Sequence, residues 1–170
     1  MRWLWVDRFT EFVSGSHAAA IKNVAMDEEV VDKYCPGFPM LPPTLIIEGL
    51  AQMGGIMVAE HFDFDKRVVL AKVGSAKYHR PARVGDQLHY RVDLDSTSDA
   101  GATVNCKVEV DGQPMAEIDL MFAFLDHGDD RFPDGALFKP GDLEVMLRTM
   151  NLFNVGINAK GEPMEISSKL

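Results

Sequence analysis

The stretch TLIIEGLAQMGGIMVAEH, residues 44–61, decides the fold of this chain. As a helix it would be apolar on every face except at Glu48, Gln52 and Glu60, and a helix of that kind belongs in the interior of a domain. Pro43 fits the first helical turn, because the N–H that proline lacks has no helical partner there. We therefore predict a long buried helix that begins near residue 43 and ends near residue 61.

The segments on either side of this helix predict an antiparallel sheet. HAAAIKNVAM, residues 17–26, has the small and β-branched residues that suit a strand. Four further strand-like runs follow residue 66, separated by turn-rich pieces, and in TVNCKVEV, residues 103–110, apolar and polar residues alternate as in a half-buried strand. Asp111-Gly112 is a hairpin signal. The sequence therefore predicts an α+β domain in which a sheet wraps a central helix.

Shorter elements and a tail complete the organisation of the chain. Residues 7–12 are predicted to form a short helix or turn, and DEEVVDKY, residues 27–34, one helical turn. The composition changes near residue 127, where a turn-rich stretch precedes LEVMLRTMNLF, a short amphipathic helix. We divide the chain into a domain, residues 1–127, and a C-terminal extension, residues 128–170. The extension is expected to pack on the domain or on a neighbouring subunit.

Length and composition narrow the class of protein. The 170 residues fit one domain, and 46% hydrophobic with 25% charged residues is typical of a folded globular protein. The sequence has neither an apolar run long enough to predict a membrane span nor a secretory signal at its start, so a cytoplasmic protein is expected. Cys35 and Cys106 give no reason to propose a disulfide framework, and no residue spacing indicates a metal site.

The charge distribution indicates the kind of partner. A net charge of -9 argues against a nucleic-acid-binding protein, which needs a basic face for phosphates. Within residues 66–83, however, six residues are basic and none is acidic. Such a cationic run suggests an acidic partner or a phosphate-bearing ligand, and a solvated strand surface is the alternative. The six basic residues are Lys66, Arg67, Lys72, Lys77, Arg80 and Arg83.

Glu48 is the most informative residue of the central helix. A carboxylate inside an apolar helix costs several kcal/mol if nothing pairs with it. Gln52 lies four residues on, on the same helix face. The pair is either part of a structural hydrogen-bond network or the acid–base group of an active site.

Three blocks of the sequence resemble a known family. YCPGFPMLPPTLIIEGLAQ, residues 34–52, resembles the active-site segment of the 3-hydroxyacyl-acyl carrier protein dehydratases of fatty acid synthesis. That pattern runs His-Phe-Pro-Gly, x-Pro, x-x-Pro-Gly, x-Leu, x-x-Glu, x-x-Ala-Gln. VDRFTEFVSGSHAAAIKNV, residues 6–24, and AKYHRPARVGDQL, residues 76–88, resemble two further family blocks. Together the resemblance covers most of residues 5–125.

The resemblance implies a fold, a reaction and partners. It implies the hot-dog fold, and a homodimer or trimer of dimers in which each site is built from two chains. The implied reaction removes a proton from C2 and the hydroxyl from C3 of an acyl thioester, giving a trans-2-enoyl product and water. The implied partner is acyl carrier protein, which the basic run would dock, and neither a metal nor an organic cofactor is implied.

The match also assigns residues and shows two departures. Glu48 takes the place of the family carboxylate and Gln52 that of the family Gln, and Gly37 belongs to the Pro-Gly turn. Tyr34 stands where the family has His, and Pro43 where it has Gly at the helix start.

Both departures bear on catalysis. A phenol is ionised to only about one part in a thousand at neutral pH. Tyr34 would therefore serve as a proton donor or hydrogen-bond donor, with Glu48 as the base. Pro43 has no N–H for an oxyanion. The amides of Thr44 and Leu45, or the Thr44 hydroxyl, are expected to replace it at the positive end of the helix.

Other interpretations stay open at this point. The loss of the family His and Gly favours a binding subunit that has lost catalysis and pairs with an active paralogue, whereas Glu48 and Gln52 oppose it. Thioester hydrolysis has no distinctive support in the sequence. His79 could supply the missing imidazole, and Cys35 could be a nucleophile, but the sequence places no activating His or Asp beside Cys35.

Overall fold

The computed structural model describes residues 3–125 and 141–165. These residues form nine strands and four helices in the order that the chain gives them. The elements are β1 Arg8–Val13, β2 His17–Asn23, α1 Glu29–Tyr34, β3 Met40–Leu41, α2 Pro43–His61, β4 Arg67–Tyr78, β5 Ala82–Arg83, β6 Gln87–Ser98, β7 Gly101–Val110, β8 Gln113–Leu125, α3 Asp142–Thr149, α4 Leu152–Val155 and β9 Gly156–Ile157.

Helix α2 is the centre of the fold, as the sequence predicts. Leu50, Met53 and Met57 are completely buried on it, and the helix contacts β2, β4, β6, β7 and β8. A helix that touches five strands of one sheet lies in the hollow of that sheet, so the prediction of an α+β domain with a wrapped helix is confirmed. Within the described residues, no helix is both long and apolar enough to cross a membrane.

The large sheet has the strand order β4-β8-β7-β6-β2-β1-β9. Its pairings are antiparallel except between β1 and β9. The predicted alternation in β7 is confirmed, because Val104, Cys106, Val108 and Val110 are buried and the residues between them are not. Asp111 and Gly112 both have positive φ between β7 and β8, which is the geometry of the predicted hairpin turn.

The prediction for residues 7–12 is wrong, because β1 is a strand there rather than a helix or turn. Phe9 and Phe12 are both fully buried, and their spacing of three imitates a helix. The pairing with β2 shifts between Phe9 and Glu11, which inserts one extra residue into β1. This β-bulge turns both phenylalanines into the core, an effect that residue spacing alone does not reveal.

The described part of the extension, residues 141–165, packs along β1. The amphipathic segment predicted there forms α3 and α4, and its buried side chains include Met146 and Leu147. The Phe9 N–H donates to the Met150 oxygen at 2.8 Å, and the Ser14 N–H to the Ile157 oxygen at 3.0 Å. The extension thus covers a sheet edge that would otherwise present unpaired backbone groups. The remaining residues of the predicted extension, up to 140 and beyond 165, lie outside the described part.

We expect Leu147→Ala to lower the free energy of unfolding by about 2–5 kcal/mol, because it removes a fully buried side chain and leaves a cavity. Denaturant unfolding followed by circular dichroism should show a single transition. Val145→Ala on the same helix is the control; that side chain is 53% exposed, and its loss should change stability by no more than about 0.5 kcal/mol. A separate early transition in Leu147→Ala would show that the extension is not part of the domain's cooperative core.

Candidate active site

A tight turn connects α1 to the segment before α2. Tyr34 is the last residue of α1 and is 54% exposed. The Phe38 N–H donates to the Cys35 oxygen at 2.9 Å. Pro36 and Gly37 occupy the two central positions, and Gly37 has a φ of 84°. A type II turn takes proline and then glycine at these positions, so the Pro-Gly pair places Tyr34 on the surface beside the turn.

The start of α2 is held by a tyrosine of β4. The Tyr78 hydroxyl donates to the Pro43 oxygen at 2.8 Å. Burial raises the pKa of Tyr78 to about 12, so the phenol remains a protonated donor at neutral pH. The Leu45 N–H already donates to the Pro42 oxygen at 2.9 Å. Thr44 is exposed. Its N–H and hydroxyl therefore remain available among the groups predicted to replace the missing amide of Pro43.

Glu48 and Gln52 lie together on α2, as predicted. The Gln52 Nε2 donates to Glu48 Oε1 at 2.9 Å and to the Trp3 oxygen at 2.7 Å. The Gln52 Oε1 accepts from the Trp5 N–H at 2.9 Å. Both heavy atoms of the amide are therefore occupied, which fixes its orientation and directs one N–H at the Glu48 carboxylate. The N-terminal segment, residues 3–7, supplies two of these three hydrogen bonds.

The prediction that α2 is interior on all faces needs a correction. Glu48 is half-buried, and so are other residues along one side of the helix. The sheet and the N-terminal segment cover most of the helix but leave this stripe, which includes small side chains. The half-buried stripe consists of Ile47, Glu48, Ala51, Gln52 and Gly55.

Tyr34 and Glu48 are not joined within one chain. The described residues contain no hydrogen bond between them, although both are accessible to solvent. Glu48 with its amide partner is an oriented carboxylate near a helix N-terminus, a combination suited to proton transfer beside a developing negative charge. Among residues 3–125 and 141–165, no three His, Cys, Asp or Glu side chains lie close enough together to bind a metal ion.

The predicted basic run does not form one surface. Lys72 and Lys77 lie on the outer face of β4, where Lys77 is in register with Glu117. Arg80 forms an ion pair with Asp86 at 2.6 Å. Lys66 is exposed at the start of β4, and Arg67 is half-buried.

Arg83 is the basic residue that the fold places beside the candidate site. It pairs with Met40 between the short strands β5 and β3. Its guanidinium carbon lies 5.1 Å from the centre of the Phe38 ring, a cation–π contact. Phe38 belongs to the turn that follows Tyr34, so this cation stands at the edge of the site.

The remaining candidates lie elsewhere. His79 is exposed, with Nε2 3.3 Å from Glu117 Oε1, in the rim of the sheet rather than beside Glu48. Cys35 and Cys106 are both free thiols. Burial raises the pKa of Cys106, which makes it an unreactive core residue.

Sequence reasoning missed a buried lysine near the site. Lys22 is 5% exposed, with Nζ 2.5 Å from Glu28 Oε1. Alternation along β2 does not reveal this burial, because the face that carries Ala18, Ala20 and Lys22 is no more apolar in sequence than the opposite face, which carries Ile21.

The chain matches a known domain family and curated proteins. A family model described as "FabA-like domain" matches residues 2–119. The 3-hydroxyacyl-[acyl-carrier-protein] dehydratase FabZ of Thermomicrobium roseum is 36% identical over 125 residues, which are 73% of this chain and 84% of that protein. The protein of the same name from Herpetosiphon aurantiacus is 35% identical over 125 residues, which are 73% of this chain and 89% of that protein.

Solved structures share the fold. The dehydratase heterocomplex ApeI:P from Xenorhabdus doucetiae matches with a TM-score of 0.60 at 16% identity, over 72% of this chain and 84% of that chain. The structure of smu.793 from Streptococcus mutans bound to acetyl CoA matches with a TM-score of 0.60 at 17% identity, over 74% of this chain and 93% of that chain. At such identities the likeness concerns the fold alone, and it confirms the predicted hot-dog architecture.

The close contact between α2 and the N-terminal segment can be tested with a matched pair of glycines. A Cβ on Gly49 would lie 2.6 Å from the Trp5 oxygen and 2.9 Å from the Tyr90 ring, whereas one on Gly55 would lie 3.7 Å from Phe122. We expect Gly49→Ala to destabilise the protein by about 1–3 kcal/mol through overpacking. Gly55→Ala meets only an ordinary van der Waals contact within the chain, so it should destabilise the protein less than Gly49→Ala does.

Denaturant unfolding followed by tryptophan fluorescence measures both variants. If Gly49→Ala proved as stable as Gly55→Ala, residues 3–7 would not be seated on the helix as described.

Proposed function

Because this chain belongs to the FabA-like domain family, we propose that it is a hydro-lyase that converts 3-hydroxyacyl-acyl carrier protein to the trans-2-enoyl thioester. The observation that carries the proposal is Glu48, an accessible carboxylate held by Gln52 near the start of a helix. Curated relatives with this activity in their names match most of the chain. The finer proposal is that Glu48 works with Tyr34 in an altered acid–base pair.

The chemistry divides between these two side chains. Glu48 removes the proton from C2, and the electron pair forms the C2–C3 double bond. The C3–O bond breaks while the Tyr34 hydroxyl donates its proton to the departing hydroxyl, which leaves as water. The proton on Glu48 then passes to the Tyr34 phenolate and restores both groups. Glu48 is assigned as the base because a carboxylate is ionised at neutral pH and a phenol is not.

Charge that develops on the thioester carbonyl needs a donor as well. The N–H of the exposed Thr44 lies in the first turn of α2, where the helix dipole adds a partial positive charge. The Thr44 hydroxyl can donate from the same place. Pro43 removes one amide N–H from this turn, so Thr44 alone stabilises the negative charge on the thioester carbonyl.

We place the complete site between two copies of the chain. The half-buried stripe of α2 offers Glu48 among small residues, which allow another helix to approach closely. On β4, Leu70 and Val73 are in register with the buried Phe122 and Leu120 of β8, yet they are 40% and 37% exposed. These side chains face the helix side of the sheet without a cover. β4 is also an edge strand.

A second copy would cover both surfaces at once. Pairing of two β4 edges would extend the sheet, shield Leu70 and Val73, and bring the stripes of two α2 helices together. Tyr34 of one chain would then complete the site around Glu48 of the other. The homodimer is the unit that this proposal requires, and a trimer of dimers would repeat it.

Arg83 is proposed as the contact for the carrier. An acyl carrier protein carries its thioester on an arm whose other end is a phosphate. The surface of the carrier is acidic. Arg83 stands next to the turn of Tyr34, held against Phe38, with its charge available to a phosphate or carboxylate. Lys72 and Lys77 lie on β4, in register with Met121 and Glu117 of β8.

The acid–base pair is tested by mass-spectrometric conversion of 3-hydroxyacyl-acyl carrier protein, and of its enoyl product in reverse. We expect Tyr34→Phe and Glu48→Gln each to lower kcat by about 10²–10⁴-fold, because each removes one proton-transfer group. Mixing the two variants after dissociation should restore about a quarter of the wild-type activity. Half of randomly paired dimers are mixed, and each mixed dimer contains one intact site.

Four results would contradict parts of this proposal. Full activity in either variant would remove that residue from the acid–base pair. No recovery on mixing would place both groups of a site in one chain. No turnover by the wild type in either direction, with acyl carrier protein still bound, would favour the binding subunit, and release of free carrier thiol would indicate hydrolysis.

Carrier docking is tested by charge reversal. We expect Arg83→Glu to raise KM for acyl carrier protein about tenfold or more with little change in kcat, because it removes a cation that contacts the carrier but not the reacting atoms. Lys72→Glu is the matched control and should leave KM within about twofold of wild type. The same KM for both variants in steady-state assays at low salt would show that Arg83 does not dock the carrier.

A further inference from the structure

We propose that Lys22 is a positioning residue that holds two side chains of its own chain in place, Glu48 of one site through the N-terminal segment and Tyr34 of the other site of the dimer through α1. The inference rests on the proposed function and adds a residue that touches neither substrate nor reacting atoms.

Lys22 is a buried cation with several anchors. Its Nζ lies 2.5 Å from Glu28 Oε1, 2.7 Å from the Asn23 oxygen and 3.6 Å from Asp7 Oδ1. It also lies 5.8 Å from the centre of the Trp5 ring. Three oxygen atoms and an aromatic face thus surround one ammonium group, so its location is tightly determined.

One arm of this network runs to Glu48. Asp7 accepts hydrogen bonds from the Asn23 backbone and side-chain nitrogens, each at 2.7 Å, and its second oxygen faces Lys22. Asp7 ends the segment that begins at Trp3. The Trp3 oxygen and the Trp5 N–H in turn hold the Gln52 amide, which donates to Glu48.

The other arm runs to Tyr34. Glu28 is the N-cap residue of α1, and its backbone oxygen accepts from the Val31 N–H at 2.8 Å. Its side chain binds Lys22. α1 is only six residues long, and Tyr34 is the last of them. A helix this short has little stability of its own, so its position depends on the contacts at its ends and on the buried Val31.

The network is poorly optimised as a source of stability. Within the described residues, Glu28 Oε2, Trp5 Nε1 and the Tyr90 hydroxyl are buried without a hydrogen-bond partner. Buried ion pairs contribute little net stability, and apolar side chains of similar volume often do better. What the Lys22 network adds is a fixed geometry between the N-terminal segment and α1.

Three nearly isosteric variants separate the two arms. Asp7→Asn weakens the arm to Glu48, Glu28→Gln weakens the arm to Tyr34, and Lys22→Met removes the common centre. Two reporters already lie in the chain. Cys35 is half-buried at the C-cap of α1, with the buried Cys106 as an internal reference. Trp5 is buried in the N-terminal segment.

The readouts are the rate of Cys35 labelling by a thiol reagent, the tryptophan emission maximum in a Trp3→Phe background, and steady-state kinetics. We expect Glu28→Gln to accelerate Cys35 labelling several-fold without moving the emission. Asp7→Asn should shift the emission to longer wavelength without changing the labelling. Lys22→Met should do both and should lower kcat about 10- to 100-fold with KM within about twofold, because misplaced groups slow the chemical step rather than binding.

Val104→Ala serves as the stability control, because this buried residue lies on β7, away from the Lys22 network. It should lower stability and leave kcat unchanged. The inference is overturned if Lys22→Met keeps wild-type kcat, if Val104→Ala loses as much kcat at equal stability, or if neither reporter responds to Lys22→Met. A wild type without dehydratase turnover would refute the proposed function instead. The Cys35 and Trp5 readouts would then still decide whether Lys22 holds both segments.

Discussion

The burial of one helix inside a curved sheet is the constraint on which the rest of this structure depends. Because α2 is apolar almost all round, it is stable only where strands cover most of its surface. The sheet meets this requirement with five strands that contact the helix. The sheet is open, with β4 and β9 at its edges, and a stripe of α2 stays half-buried. The side chains of the helix that we propose as functional, Glu48 and Gln52, lie on that stripe.

The orientation of the polar side chains on this stripe is set by hydrogen bonds from a segment outside the sheet. Gln52 would be an unsatisfied amide if the N-terminal segment did not supply the Trp3 oxygen and the Trp5 N–H. The segment is in turn tied to β2 by Asp7 and Asn23. The orientation of the Glu48 carboxylate thus depends on a chain segment far from it in sequence. A site of this kind is held by its supporting contacts as much as by the helix that carries it.

The two departures from the family pattern act on different parts of the proposed chemistry. In our proposal, Tyr34 stands where the family has a group that can act as a base at neutral pH and donates a proton instead, which leaves the base role to Glu48. Pro43 removes a donor from the first turn of α2, and the Leu45 N–H is occupied by the Pro42 oxygen. The Tyr78 hydroxyl holds the backbone of this turn. The turn therefore keeps its shape with fewer free amides, and in our proposal Thr44 is the residue left to stabilise negative charge.

Much of the fold could be predicted from local sequence patterns, because the periodicity of hydrophobic residues and the residue preferences of turns are local properties. The sequence alone determined α2, the alternating strand β7, the hairpin at Asp111-Gly112, and the pairing of Glu48 with Gln52 through helical spacing. Tertiary structure decided what depends on contacts between distant segments. Residues 7–12 lie in a strand whose bulge turns Phe9 and Phe12 into the core. Lys22 is enclosed on one face of β2, and strand pairing separates the residues of the basic run. None of this could be predicted locally, because β-sheet register and the partners of a buried charge are set by residues far apart in the chain.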